Sequence, residues 1–142
     1  MTFGPVAFLA NVERIFAAYN GLTTVTWSRP TKLTTSVASP EINIDYVVAS
    51  VDSVSLSQPH KKISFYVRFT IFEEQTTSSS QMDTLYQGIL GAVAANPTLE
   101  DINKVATCDY FGTFNGREIS WDFVATERNG ISVNAMKIDV PC

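Results

Sequence analysis

Two neighbouring stretches of the chain alternate between apolar and polar residues, which is typical of β-strands with one buried face. In the first, which starts at Pro40, one predicted face carries Ile42, Ile44, Tyr46 and Val48. In the second, from Lys62 to Glu73, the predicted core face is Ile63, Phe65, Val67, Phe69 and Ile71. The first alternation breaks near Ala49-Ser50, which indicates a β-bulge or a strong bend. Because the segment from Ser57 to Lys61 has turn composition, the two strands are predicted to form one extended hairpin.

Apolar residues three and four positions apart predict two amphipathic helices. The first spans Pro5 to Tyr19, with Asn20-Gly21 as its stop, and the second spans Gln81 to Ala95, with Ser80 as its N-cap. The predicted buried residues are Val6, Leu9, Val12, Ile15, Phe16 and Tyr19 in the first helix and Met82, Leu85, Tyr86, Ile89, Leu90 and Val93 in the second. Gly88 and Gly91 weaken the second helix but permit close packing.

Shorter signals complete the predicted order of elements. A short strand is expected at Leu22 to Trp27, an arm or long loop at Thr31 to Ser39, one further helical turn at Thr98 to Lys104, and strands at Val105 to Phe114, Glu118 to Thr126 and Ile131 to Val140. Asn115-Gly116 and Asn129-Gly130 are hairpin-turn signals. The pattern predicts an α+β fold: a mixed or antiparallel sheet of about four to six strands with a projecting hairpin, flanked by two main helices.

The length and net charge of the chain restrict the classes of function that it can have. A chain of 142 residues, 45% of them hydrophobic, is expected to form a single domain. The net charge of −4 argues against affinity for nucleic-acid backbones, since phosphate binding needs clustered basic residues. Neither a secretion signal nor a membrane segment is predicted, because Glu13 and Arg14 interrupt the first apolar run. The spacing of Cys108 and Cys142 is not that of metal ligands, and both are expected to be reduced thiols in a cytoplasmic setting. Cys108 is expected to be a small buried residue, and Cys142 an exposed tail.

Residues that could carry catalysis are sparse. His60 is the only histidine, and the two lysines that follow it oppose its protonated form. No glycine pattern of a nucleophile elbow surrounds any serine, and Asp109, Asp122 and Asp139 have no metal-site spacing. The aromatic residues between Tyr110 and Phe123 are flanked by acidic side chains, which favours core packing or a protein interface over base stacking. We therefore expect neither a cofactor nor an enzymatic activity.

The order of elements resembles the tail-terminator family of long-tailed bacteriophages, whose members end tail-tube growth and join the tail to the head. The segments that carry the resemblance are PVAFLANVERIFAAY, PEINIDYVVASVDSVSL, KKISFYVRFTIFEE, TTSSS, QMDTLYQGILGAVAANP and the closing strands. The resemblance implies a non-catalytic virion component, assembled in the host cytoplasm, that forms a hexameric ring around a DNA channel. Its implied partners are tail-tube and head-connector proteins, and DNA passes without specific binding. The stretch from Thr31 to Ser39 and the turn at Asn129-Gly130 depart from the family pattern and leave open another neck or tail-tube protein.

Two candidate surfaces follow for such a ring. The subunit interface is expected on the hairpin, at Val54, Leu56, Gln58, His60 and Lys61. The channel lining is expected at Asn43, Asp45, Glu73 and Glu74, because acidic side chains repel phosphate and neutral ones do not attract it. Two other interpretations remain: a small-molecule-binding domain with an apolar pocket lined by Tyr86, Trp121 and Phe123, and a small hydrolase built around His60.

Overall fold

A computed structural model describes residues 4–29, 41–53, 61–74, 80–112, 118–128 and 131–142. These residues form an α+β fold with a five-stranded mixed sheet and two helices, as the sequence predicts. In chain order the elements are α1 (Pro5–Ala17), β1 (Thr26–Ser28), β2 (Glu41–Ser53), β3 (Lys61–Glu74), α2 (Ser80–Ala95), β4 (Ser120–Arg128) and β5 (Ile131–Pro141).

The strands lie in the order β1-β2-β3-β5-β4. β1 is parallel to β2, and the other neighbours are antiparallel. Arg128 of β4 pairs with Ile131 of β5, so the two strands are joined across Asn129-Gly130, as that dipeptide predicts. The two turn residues themselves lie outside the described residues, as do Thr31 to Ser39 and Asn115-Gly116.

The hairpin formed by β2 and β3 extends beyond the rest of the sheet. Its register shifts between Val48 and Ser50, which confirms the bulge expected from the broken alternation. The pairing of β3 with β5 ends at Tyr66 opposite Pro141, whereas β3 remains paired with β2 from Ser64 back to Lys61. Within the described strands, the hairpin past the bulge is therefore a two-stranded projection.

The core lies between one face of the sheet and the two helices. Phe65, Val67, Phe69 and Ile71 of β3 are all buried, which confirms the predicted face. Phe16 of α1 stacks on Phe69, with ring centroids 4.8 Å apart. Burial of each large apolar side chain contributes about 1.5–3 kcal/mol, so this face accounts for much of the driving force for folding.

The predicted helical stripes are largely but not wholly correct. In α1 the predicted Val6 is 73% exposed and Phe8 is buried instead, where it packs edge-on against Phe65. In α2, Ala92 joins the buried face, while Tyr86 and Leu90 are half-buried. Val48, predicted to share a core face with Ile42 and Ile44, is 50% exposed because the strand leaves the core at the bulge.

The segment that follows α2 differs most from expectation. The predicted helical turn at Thr98 to Lys104 is absent, because the Asp101 carboxylate accepts hydrogen bonds from the backbone N–H groups of Asn103 (2.8 Å) and Val105 (3.0 Å). Such side-chain acceptors compete with helical hydrogen bonding. Leu99 and Lys104 also adopt left-handed backbone angles, with φ of 47° and 64°.

The strand predicted from Val105 is also wrong over residues 105–112, which form no strand. Their backbone groups bond to the preceding turn instead: Thr107 N–H donates to the carbonyl of Thr98 (3.1 Å) and Phe111 N–H to that of Pro97 (2.7 Å). Phe111 is 2% exposed and lies edge-on to Phe16. A buried aromatic residue thus fixes an irregular segment against the core, where sequence alternation alone indicates a strand.

The short strand after α1 is displaced from its predicted position at Leu22 to Trp27, since β1 covers only Thr26–Ser28. Backbone bonds from Leu22 N–H to Tyr19 (3.0 Å) and from Val25 N–H to Leu22 (3.4 Å) form successive turns before it. Both apolar side chains are buried, Leu22 completely. The apolar residues of this segment are therefore buried by turns rather than by a strand, while Thr23 and Thr24 between them are exposed.

The two glycines of α2 mark close packing against the chain that follows α1. A Cβ atom at Gly88 would lie 3.0 Å from Leu22 Cδ2, and one at Gly91 would lie 2.6 Å from the Tyr19 hydroxyl oxygen. The expectation that these glycines permit close approach is therefore confirmed.

We predict that Gly91→Ala destabilises the protein by roughly 1–2 kcal/mol, because the clash outweighs the gain in helix propensity. Chemical denaturation measures the free energy of unfolding. Adding Tyr19→Phe should recover part of the loss, because the nearest atom is then removed, whereas Tyr19→Phe alone should have little effect. An equally stable Gly91→Ala variant would contradict the packing described.

Candidate interaction surfaces

The sheet face turned away from the helices carries a groove of about 530 Å³. Its lining residues come from β2, β3, β4 and β5: Asn43, Asp45, Arg68, Thr70, Phe72, Val124, Thr126, Glu127, Ala135 and Lys137. The alternation of each strand places these mostly polar side chains opposite the apolar core face. The groove is therefore a candidate contact surface, while the other face forms the core.

Charged and polar groups of this surface hold one another in place. Arg68 donates two hydrogen bonds to the Asp139 carboxylate, at 2.8 and 3.1 Å. These bonds raise the pKa of Arg68, with a further contribution from Asp45. Asn43 donates its amide to the Ser28 hydroxyl at 3.1 Å. The groove lining carries two cations, Arg68 and Lys137, and two carboxylates, Asp45 and Glu127, and Arg68 is also paired with Asp139. The groove therefore lacks the net positive charge that would bind phosphate strongly.

The predicted channel residues divide between the two faces. Asn43 and Asp45 both line the groove. Glu73 does not, because its position in β3 turns it towards the core side, where it is 1% exposed. The prediction that Glu73 shares a surface with Asn43 and Asp45 is therefore wrong. Glu74 pairs with Val133 at the end of β3, and its side chain lies outside the described residues.

Glu73 has an unusual environment. Neither carboxylate oxygen has a hydrogen-bond partner within the described part of the chain. Burial, and secondarily the negative charge of Asp83 on α2, raise the pKa of Glu73. No group of three or more potential metal ligands occurs within the described residues. The buried acid is a local cost to the folded state.

Most of the predicted hairpin interface lies outside the described residues. Val54, Leu56, Gln58 and His60 lie outside the described residues, and Lys61 is described only through its backbone pairing with Ser53. The hypothesis of a hydrolase depends on His60, so it too concerns residues outside the described ones.

Strand β4 forms a second exposed surface, at aromatic residues for which the sequence favours core packing or a protein interface. It is the last strand of the sheet, and every side chain from residue 120 to residue 127 is exposed. Trp121 is 58%, Phe123 48% and Val124 38% exposed. The Trp121 ring lies 6.4 Å from that of Tyr86, as the pocket hypothesis expects, but Trp121 and Phe123 lie open at the surface. These aromatics thus form an exposed edge rather than the lining of an enclosed cavity.

Comparisons with known proteins leave the function open. No family model and no curated protein matches the chain. Seven chains of known structure are similar to it. One of them, whose name states no function, is 14% identical with a TM-score of 0.49, and the match covers 99% of this chain and 96% of that one. Such a likeness concerns the fold alone. Among the described residues, no helix is long and apolar enough to cross a membrane.

The environment of Glu73 predicts that the stability of the folded protein depends on pH. A raised pKa in the folded state means that the folded protein holds this proton more tightly than the unfolded chain, so stability falls as pH rises above the unfolded value of about 4.3. We expect Glu73→Gln to be more stable than the wild type at neutral pH. This difference should shrink as pH falls from neutral towards about 4 and stay small below it, where Glu73 is protonated in both states.

Thermal unfolding of the two proteins across a pH series measures this effect. Asp83→Asn is the matched control: it should give a smaller gain in the same direction, because it removes only the secondary cause. A Glu73→Gln variant that is less stable than the wild type at neutral pH would show that the carboxylate has a stabilising partner.

Proposed function

We propose that this protein is a structural assembly protein that forms a homo-oligomeric ring, a tail terminator or neck component of a phage virion. The ring would cap the tail tube and join the tail to the head, and no catalytic step is assigned to it. The observation that carries the proposal is the presence of two uncovered β surfaces on one small domain: the projecting β2–β3 hairpin and the apolar edge strand β4.

Two different surfaces are what a closed ring requires. In a head-to-tail contact, one patch of each subunit meets a different patch of the next, and rotation closes the series. The outer side of β4 has no strand neighbour within the described sheet, so its backbone groups can pair with a neighbouring chain. The hairpin past the bulge supplies a second element, which can reach an adjacent subunit because it extends beyond β5.

The groove fits the same proposal as the face turned towards the channel. Arg68 is already paired with Asp139, and the remaining lining cation, Lys137, is offset in charge by the two lining carboxylates, Asp45 and Glu127. A lumen of this kind would let DNA pass without retaining it, because few phosphate counterions would be released. Tail-tube and head-connector proteins would be the partners above and below the ring.

The first test shortens the hairpin. Replacing residues 51–63 with Asn-Gly leaves the paired Ser50 and Ser64 on either side of a two-residue turn. We expect the wild type to sediment as a ring of several 15.6 kDa chains and the shortened protein as a folded monomer. Circular dichroism checks the fold, and sedimentation velocity measures the mass. A wild type that stays monomeric at every concentration would contradict the ring, whereas a shortened protein that still forms a ring would remove the hairpin from the interface.

The second test adds charge to the exposed edge. Phe123→Lys combined with Val124→Lys should dissociate the ring without unfolding the subunit, because lysine on an edge strand opposes pairing with another chain. Val6→Lys is the matched control, since Val6 is also exposed, at 73%, but lies on α1. The control should keep the mass of the wild type. If the double variant also keeps that mass, β4 does not form the subunit contact.

A further inference from the structure

The projecting hairpin leaves one edge of β3 open. On this side of β3, pairing ends at Phe65, which exchanges two backbone hydrogen bonds with Cys142, at 2.8 and 3.2 Å. Cys142 is thus half-buried at the end of the sheet, and the expectation that it forms an exposed tail is wrong. Before Phe65, residues 61–64 pair with β2 on one side and with no described strand on the other.

The hydrogen bonds of Phe65 show which backbone groups point to this open edge. Along a β-strand, the N–H and C=O groups of every second residue point to the same side. β3 runs without interruption from Lys61 to Glu74. Because Phe65 bonds to Cys142, the backbone groups of Lys61 and Ile63 also point to that side, where the edge is open.

The outer edge of β4 can be assigned in the same way. Cys142 faces β3, so the even-numbered residues of β5 face β3 and the odd-numbered residues face β4. The carbonyl of Pro141 agrees with this, since it accepts a hydrogen bond from Gly112, at 2.9 Å. The odd-numbered residues of β5 pair with even-numbered residues of β4. The backbone groups of Trp121 and Phe123 therefore point to the outer edge of β4.

We propose that, in the ring, residues 61–64 of one subunit form an antiparallel pair with the start of β4, residues 120–123, in the next subunit. The inference rests on the proposed ring and names the contact between its subunits. Two limits set the register: β4 begins at Ser120, and the open edge of the hairpin ends at Ser64, beside the bonded Phe65. Ser120 then lies opposite Ser64, Trp121 opposite Ile63, Asp122 opposite Lys62, and Phe123 opposite Lys61.

The backbone groups of the two strands fit this register. The residues that point to the open edge of the hairpin, Lys61 and Ile63, lie opposite Phe123 and Trp121, which point to the open edge of β4. Both strands can therefore satisfy these donors and acceptors in one ladder. A shift by one residue would place inward-pointing groups against outward-pointing ones, so the match depends on the register.

The side chains are complementary along the same rows. Asp52 pairs with Lys62 within one subunit, and Asp122 pairs with Lys137 within the next. Joining the two strands makes a row of alternating charges across four strands, and opposite charges on neighbouring strands stabilise a sheet. The adjacent row is apolar throughout: Val51, Ile63, Trp121 and Ile138. The exposed Trp121 thus gains an apolar neighbour on its open side.

A pair of introduced cysteines tests the register. Across the proposed contact, the Cα atoms of Ser64 and Ser120 lie about 4.5 Å apart, within the range that a disulfide spans. Within one subunit they lie roughly 16 Å apart, since two strand spacings and four residues separate them. We expect Ser64→Cys combined with Ser120→Cys to give covalent oligomers on oxidation. Non-reducing electrophoresis measures them, and peptide mass spectrometry identifies the bond between positions 64 and 120.

Ser64→Cys combined with Thr126→Cys is the matched control, because Thr126 is exposed on the same face of β4 but lies six residues further along. It should cross-link no more than the wild type, which keeps its own two cysteines. Sedimentation of each reduced protein reports whether the ring has formed. A ring without the bond between positions 64 and 120, or with equal cross-linking in the control, would overturn this pairing and leave the ring standing. A wild type that stays monomeric would overturn both.

Hydrogen exchange tests the same contact without introduced cysteines. In the wild-type ring, the amides of Trp121 and Phe123 should exchange at least about tenfold more slowly than in the protein whose residues 51–63 are replaced by Asn-Gly, because pairing protects them. The amide of Asp122 is the internal control, since it points to β5 within the subunit and should change less. If Trp121 and Phe123 exchange equally fast in both proteins, β4 does not pair with the hairpin.

Discussion

The stacking of Phe16 on Phe69 is the contact on which the rest of the structure depends. It joins α1 to the middle of β3, which pairs with both β2 and β5. Phe111 meets the same ring of Phe16 from the irregular segment that follows α2. Three parts of the chain that are distant in sequence thus converge on one aromatic side chain. Without this cluster, α1 would lose its aromatic contact with β3, and the segment that contains Cys108 would lose the contact of Phe111 with α1.

The size of the core limits how much of the sheet the two helices can cover. The two helices pack against the central strands, and the sheet is wider and longer than the area they protect. At one end, the hairpin continues past the bulge between Val48 and Ser50, where no third strand of the described sheet accompanies it. At the other edge, β4 pairs within the described sheet with β5 alone, and Trp121 and Phe123 remain exposed although they are large and apolar. Both surfaces arise from a core that is small relative to its strands.

Strand and helix identities could be predicted wherever one periodicity dominates. The alternating faces of β2 and β3, the bulge and the connection across Asn129-Gly130 are all confirmed, because burial of one face fixes register and orientation. Prediction failed between Thr98 and Gly112, where the Asp101 carboxylate satisfies backbone donors and favours an irregular turn. Such local competition depends on tertiary anchoring by Phe111, which the sequence pattern does not reveal.

The candidate sites were less predictable, since they depend on which strands become neighbours. Alternation along β2 is enough to place Asn43 and Asp45 on the same face of the sheet, and both do line the groove. Arg68 and Asp139 meet only because β3 pairs with β5 in one particular register. Glu73 was misassigned because it was grouped by charge with Glu74, although adjacent strand residues point to opposite faces.

Exposure of β4 has a physical cost that bears on its role. An edge strand with unpaired backbone groups and aromatic side chains promotes unwanted pairing unless charge, shortness or cover prevents it. β4 carries some charge, at Asp122 and Glu127, yet it is nine residues long and keeps Trp121 and Phe123 accessible. Acidic residues beside the aromatics disfavour indiscriminate association with copies that present the same acidic edge. They remain compatible with a different, complementary patch on a neighbouring subunit, which is the contact that a head-to-tail ring uses.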